Sequence, residues 1–111
     1  MAVSDEFRNY VLDQLQAAGR VTARRMFGGV GIYSDGAFFA VIDNDTLFFK
    51  VDETLRQQYL AARMPAFMPV PGKPPMEGYY QVPPGVLEDA DALARWAKQS
   101  IALAGKKTEK K

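Results

Sequence analysis

The sequence predicts an α+β domain of two layers, in which helices cover an antiparallel sheet mainly on one face. Apolar residues recur at helical spacing near both ends of the chain and once in the middle. Two short turn sequences separate runs that are rich in strand-forming residues. The predicted order of elements is therefore α-β(3)-α-β(2)-α, with a further short strand leading into the first three.

The first predicted helix begins after Ser4, because serine caps helix N-termini. Asp5 and Glu6 follow in the first turn, where the helix dipole favours acidic side chains. Gly19 ends the helix, whose apolar side consists of Phe7, Tyr10, Val11, Leu15 and Ala18.

A meander of three strands is predicted next, after a lead-in strand that starts at Val21. Residues 35–36 are Asp-Gly, the pair favoured in type I′ hairpin turns, and residues 43–45 form a second polar turn. The runs at 37–42 and 46–51 are rich in aromatic and branched residues.

Two-residue turns would pair Tyr33 with Phe38, Ile32 with Phe39, and Val30 with Val41. One face of the sheet then carries Tyr33, Phe38, Ala40, Ile42, Leu47, Phe49 and Val51. The other face carries Val30, Ile32, Phe39, Val41 and Phe48 and ends at Lys50.

Both predicted faces are apolar, and three helices most naturally cover one of them. We expect the helices on the first face, because Gly31 opposite Ala40 would allow a close approach there. The second face would then expose a patch on the order of a few hundred Å², a size that usually marks a partner surface. The alternative is that one helix crosses the sheet and covers this face as well.

The second half of the chain predicts a helix capped by Asp52 and ended at residues 64–65, then strands at 67–71 and 77–83. A last helix begins near residues 87–90. Within the final strand, Tyr79 and Tyr80 are adjacent and point to opposite faces, so we expect one in the core and one on the surface.

The charges are unevenly distributed. The chain has a net charge of +1, but residues 1–105 contain ten basic and twelve acidic residues. We predict a folded domain over residues 1–105 and a disordered Lys-rich tail over residues 106–111. An acidic N-terminus, the absence of cysteine and the lack of a long apolar run predict a cytoplasmic protein that does not enter a membrane.

The residue types argue against an active site. The chain has no His and no Cys, which removes the commonest general base, the thiol nucleophile and the usual zinc ligands. Ten of the twelve acidic residues in positions 1–105 fall at predicted helix starts or turns, which leaves Asp13 and Glu77. We therefore predict no enzyme, no metal site and no cofactor.

Two hypotheses for function remain. The first is a protein-interaction module, which could also form a homodimer, with candidate partner-binding residues Val30, Ile32, Phe39, Val41, Phe48, Lys50, Arg24 and Arg25. The second is direct but weak binding of nucleic acid through Arg24, Arg25, Lys50, Lys73 and the tail. Because Arg24 and Arg25 are neighbours in a strand, they point to opposite sides and cannot form one clamp.

One stretch resembles a known family. The sequence RMFGG at 25–29, GIY at 31–33, Asp-Gly at 35–36 and YYQVP at 79–83 are similar to the signature of the TfoX N-terminal domain. The resemblance extends over about residues 5–104.

The resemblance implies an α-β(3)-α-β(2)-α fold like that of secretion chaperones. The family's named members are bacterial regulators of natural competence, which act on transcription with the catabolite activator protein, by protein contact more than by reading DNA. It implies no catalytic residues and no cofactor. Those regulators carry a second, helical C-terminal domain, whereas this chain ends in a Lys-rich tail. The resemblance therefore predicts a regulatory or interaction role for this chain, without extending the competence role to it.

Overall fold

The structure, a computed structural model, describes residues 3–26, 29–68 and 72–109, with side chains up to Gly105. Its helices are α1 (Asp5–Gln14, continued by a 3-10 turn at Leu15–Ala18), α2 (Glu53–Ala61), α3 (Pro84–Leu87) and α4 (Ala90–Glu109). Its strands are β1 (Thr22–Met26), β2 (Gly29–Ser34), β3 (Ala37–Asp43), β4 (Thr46–Lys50), β5 (Ala66–Phe67) and β6 (Met76–Gln81).

The strands form one antiparallel six-stranded sheet in the order β1-β2-β3-β4-β6-β5. Helix α4 packs across β3 and β4, and α1 and α3 pack against α4. The predicted α+β class and the covering of the sheet by helices are confirmed. The lead-in strand is a full strand of five residues, so the meander has four strands.

The predicted helix caps are present. Ser4 Oγ accepts a hydrogen bond from Phe7 N at 3.1 Å, and Asp52 Oδ1 accepts one from Leu55 N at 2.8 Å. Each satisfies a backbone donor that the helix itself leaves without a partner. These polar residues therefore have structural roles that their positions in the sequence already indicated.

A β-bulge interrupts the pairing of β2 with β3. Tyr33 pairs with Phe38 as predicted, but the register then shifts, so that Ile32 pairs with Ala40 and Val30 with Ile42. The extra residue in β3 is Phe39. The pairing of β3 with β4 has no such shift, and it joins Ala40 to Phe49, Val41 to Phe48 and Ile42 to Leu47.

The bulge turns Phe39 and Ala40 to the helix side of the sheet together. Val30 and Ile32 lie on the same side, paired with Ile42 and Ala40. Val30, Ile32 and Phe39 are at most 4% exposed and belong to the main core, where Phe39 packs on Phe49 with ring centroids 5.8 Å apart. The prediction that these three residues lie on a face free of helices is therefore wrong.

Helix α4 is joined to the sheet by a buried polar contact. Ser100 has no exposed surface, and its hydroxyl donates a hydrogen bond of 2.7 Å to the carbonyl of Lys50 at the end of β4. Beside it, Tyr59 of α2 packs edge-on against Trp96 of α4 with centroids 4.9 Å apart. Helix α2 thus reaches the core through one fully buried aromatic ring.

Two predictions fall at the limits of the described residues. The strand expected at 67–71 is described only as β5, because residues 69–71 lie outside them. The side chains of residues 106–111 also lie outside them, so the separate Lys-rich tail stays a prediction. Within the described ranges, none of the helices combines the length and the hydropathy that crossing a bilayer requires.

The bulge predicts unequal costs for truncating two adjacent phenylalanines. We expect Phe39→Ala to lower the free energy of unfolding by about 3–5 kcal/mol, because it leaves a cavity in the main core. Phe38→Ala, on the other side of the sheet and partly exposed, should cost about 1–2 kcal/mol. Urea unfolding of both variants measures the difference. The reverse order of costs would show that β3 has the register without a bulge.

Candidate interaction surfaces

One side of the sheet carries no helix in the described part of the chain. Directly paired residues of antiparallel strands lie on the same side. The strand register therefore places one row of residues on this side, one from each of five neighbouring strands: Arg24, Gly31, Val41, Phe48 and Gln81. We call this side, with Tyr33, Phe38, Lys50, Phe67 and Tyr79, the helix-free face.

Aromatic rings cover much of the helix-free face. Val41, Phe48 and Tyr79 form a small second cluster, with Phe38 and Phe67 packed against it. Phe48 lies 4.7 Å from Phe67 and Phe38 lies 5.7 Å from Tyr79, measured between ring centroids. As a result Val41 and Phe48 are only 7% and 8% exposed. The accessible apolar surface comes from the partly exposed rings of Tyr33, Phe38 and Phe67.

Gly31 allows this covering. A Cβ atom at this position would lie 2.7 Å from Met26 Sδ and 2.9 Å from Phe38 Cε1, which is closer than real contacts allow. The glycine therefore makes room for side chains on the helix-free face. The expected close approach of a helix at Gly31 is wrong, because Gly31 pairs with Val41 on the opposite side from α4.

Two cations border the aromatic rings. The Arg24 guanidinium lies 5.9 Å from the centroid of Tyr33, and Lys50 Nζ lies 5.3 Å from that of Tyr79. Burial raises the pKa of Tyr79 above its usual value, and the neighbouring Tyr33 adds to the shift, so the Tyr79 hydroxyl stays neutral at neutral pH. The helix-free face thus combines flat apolar rings with positive charge at its border.

Both tyrosines of the final strand are buried. Tyr79 is 9% exposed on the helix-free face, and Tyr80 is 7% exposed on the helix side, where it pairs with Phe49. Their opposite directions are as predicted, but the expectation that one of them lies on the surface is wrong. The small aromatic cluster buries Tyr79 although no helix reaches it.

The remaining predicted cations lie elsewhere. Arg25 pairs with Val30 and therefore faces the helix side, opposite to Arg24, as predicted from their adjacency. Lys73 is exposed in the connection between β5 and β6, at the edge of the sheet farthest from β1. Of the candidate partner-binding residues, the structure brings Arg24, Val41, Phe48 and Lys50 together on one face.

A second surface, which the sequence did not indicate, lies between α1 and β1. It is a cleft of about 340 Å³ lined by Arg8, Asn9, Leu12, Ala23, Arg24, Arg25 and Val30, and we call it the basic cleft. Its α1 wall is held at both ends. Ser4 N donates to Asp45 Oδ1 at 2.8 Å, and Gln14 Nε2 donates to the Leu87 carbonyl at 2.9 Å.

The acidic residues do not gather into a centre. Within the described residues, no group of three or more acidic side chains lies close enough to hold a metal ion. Asp89 Oδ1 accepts hydrogen bonds from the backbone of Asp91 and Ala92, which start α4. Asp13 and Glu77, the two acids left without a structural role in the sequence, are both exposed.

Tyr59 is the described side chain whose pKa is shifted most by its surroundings. It has no exposed surface, and its hydroxyl has no hydrogen-bond partner in the described structure. Burial raises the pKa of Tyr59 strongly, and the nearby Ser100 hydroxyl, which donates elsewhere, opposes this only weakly. A phenol that holds its proton so firmly, inside the core, is not suited to acid–base chemistry near neutral pH.

Replacing this phenol tests its environment. At neutral pH we expect Tyr59→Phe to raise the free energy of unfolding by about 1 kcal/mol, because it removes a buried hydroxyl without a partner. An unfolded tyrosine ionises near pH 10, below the folded-state pKa of Tyr59, so the wild type should lose stability as the pH rises above about 10. Urea unfolding at about pH 7 and pH 11 should show a smaller loss for the variant.

The control is Tyr10→Phe, which removes a hydroxyl at an exposed position. Equal alkaline losses in the wild type and Tyr59→Phe would contradict the assignment of the effect to Tyr59.

Comparison with protein families gives one match. The model of the TfoX N-terminal domain matches residues 13–104, which is most of the chain. The matched range contains the whole sheet and with it the helix-free face. It contains the β-strand wall of the basic cleft, whereas Arg8, Asn9 and Leu12 of the α1 wall precede it. A search among curated proteins found no match.

Proposed function

The chain belongs to the TfoX N-terminal domain family, and on that premise we propose that it is a non-catalytic regulatory domain that binds another protein through the helix-free face. One observation carries the proposal. A six-stranded sheet has its helices on one side, and the other side presents aromatic rings that no helix of the described chain covers.

The chemistry of this face suits a protein partner. Aromatic residues and arginine are enriched where proteins bind each other, and flat rings lose little conformational entropy on binding. Tyr33, Phe38 and Phe67 are partly exposed, while Val41 and Phe48 form a packed base beneath them. The partner should therefore offer an apolar surface with acidic groups at its border, opposite Arg24 and Lys50.

The family suggests where such a partner acts. The resemblance to competence regulators implies work on transcription in the cytoplasm by protein contact. We propose that the partner is a component of the transcription apparatus, either the catabolite activator protein or RNA polymerase. Non-catalytic action is supported by the acidic residues, since Asp52 and Asp89 cap helices and Asp45 holds the start of α1.

A second candidate function is weak binding of single-stranded nucleic acid on the same face. It is favoured by the two cations beside aromatic rings, since bases stack on such rings and phosphates attract the charges. The slightly acidic domain and the low exposure of Phe48 and Tyr79 make this face poorer for bases than for a protein.

The protein-binding proposal is tested with purified partners. Surface plasmon resonance of the immobilised chain should show binding of the catabolite activator protein or of RNA polymerase. Phe38→Ser removes a partly exposed ring from the helix-free face and should weaken that binding at least about tenfold, because interface aromatics carry much of the affinity.

The matched control is Ile101→Ser, which changes a partly buried apolar residue packed against the main core on the helix side. It should leave the affinity unchanged although it also lowers stability. Equal losses in the two variants would show that the effect is on folding, and the absence of binding by the wild type would end the proposal. Size-exclusion chromatography at several concentrations shows whether a second copy is the partner.

The nucleic-acid alternative predicts a strong dependence on salt. A labelled single-stranded oligonucleotide should bind at about 50 mM salt and be released at about 200 mM, with Arg24→Glu weakening the complex. Removing residues 106–111 separates the contribution of the tail. If no binding is detected at the lower salt concentration, this function is excluded.

A further inference from the structure

Strand β1 is the long open edge of the sheet. It has five residues and pairs only with β2. Within the described residues, its backbone makes no hydrogen bond to any other element. The opposite edge, β5, has two residues and follows Pro65, so it offers little for pairing. A free edge with unpaired N–H and C=O groups is a template for another strand.

The basic cleft runs beside this edge on the helix side. Arg25 reaches it from β1 and Arg8 from α1, while Leu12 on the α1 wall and Ala23 and Val30 on the strands supply apolar lining. Helix α1 packs on α4 and on its own 3-10 turn, and the cleft separates it from β1. An extended segment beside β1 would therefore place alternate side chains in the cleft.

The cations here are poorly compensated. Arg8 has an ion pair with Asp5, at 3.5 Å, and the Asp5 side chain is 75% exposed. Neither Arg24 nor Arg25 has a carboxylate partner among the described residues. Arg8 and Arg25 thus give the groove positive charge in a domain whose overall charge is slightly negative, and Arg24 adds a third cation on the other side of β1. Positive charge concentrated in one groove favours an acidic ligand.

We infer that the free edge of β1 and the basic cleft bind an extended acidic peptide segment of a partner protein, which adds to the sheet as a seventh strand. Strand addition supplies the main-chain hydrogen bonds, and pockets for alternate side chains supply specificity. Acidic side chains on the helix side would meet Arg8 and Arg25 in the cleft. Those on the other side would lie next to Arg24.

Charge distinguishes this occupant from a second copy of the chain. Two β1 strands paired in antiparallel fashion about their middle would place Arg24 opposite Arg24 of the other copy, and a shift by one residue would place it opposite Arg25. Like charges directly opposite each other in a sheet are destabilising. A nucleic acid would satisfy the arginines, but its backbone has no alternating amide donors and acceptors to match the edge. An acidic peptide meets both requirements.

This inference shares only Arg24 with the surface of the proposed function and is tested through Arg25, so either can fail alone. The probe is a fluorescein-labelled peptide of about eight residues with alternating Glu and Val. Titration with the full chain at about 50 mM salt, followed by fluorescence anisotropy, should show saturable binding. Arg25→Glu should weaken it at least about tenfold, because the charge facing the ligand is reversed.

The matched control is Arg95→Glu, an identical change of charge at an exposed position on α4. It should alter the affinity less than about twofold. If Arg25→Glu does not fold, as judged by circular dichroism, a peptide with Gln in place of Glu tests the same charges on the wild type and should bind at least about tenfold more weakly.

A third peptide, N-methylated at every residue, keeps the charges but cannot form the ladder along either edge. It should lose binding. The unmodified peptide of alternating Glu and Val should protect amides of residues 22–26 from hydrogen exchange. Equal binding of the methylated peptide, or equal loss with Arg95→Glu, would reduce the effect to general charge attraction and overturn the inference. Failure of the acidic peptide to bind, or tighter binding of single-stranded DNA, would overturn it as well.

Discussion

The bulge at Phe39 determines which side of the sheet each apolar residue of the meander occupies. Side chains alternate along a strand, so one extra residue changes which residues of the partner strand share a face. Here it places Val30 and Ile32 under the helices with Phe39 and Ala40, and leaves Gly31 on the other side beneath Phe38. The large core on one side and the small aromatic cluster on the other both depend on this register.

The helix-free face and the β1 edge are both accessible because the helix layer covers only part of the sheet. The described helices cover the middle of the sheet, where burial of apolar residues is densest, and leave the opposite face and the β1 edge uncovered. On the helix-free face the strands' own rings limit the exposed apolar area. At the β1 edge, the arginines limit a different hazard, since charged residues on an edge discourage unwanted pairing with other strands. Those charges also make the edge selective for an acidic strand.

Parts of the candidate site could be predicted from the sequence and parts could not. The opposite directions of Arg24 and Arg25 follow from adjacency in a strand and are confirmed. The burial of Tyr79 was missed, because it depends on Phe38, which is distant in sequence. The basic cleft was also missed. Arg8 and Leu12 share one face of α1 by their spacing, but no local signal shows that this face lies opposite Arg25.

By itself, the sequence determined the α+β class, the helix caps, the hairpin turns and the family, because each rests on signals a few residues apart or on a continuous motif. The tertiary structure decided the register beyond Tyr33, the side that the helices cover, and the groove beside β1. A bulge and a cleft have no local signature, since each arises from how distant elements pack. The free energy that selects them is shared among residues far apart in the chain.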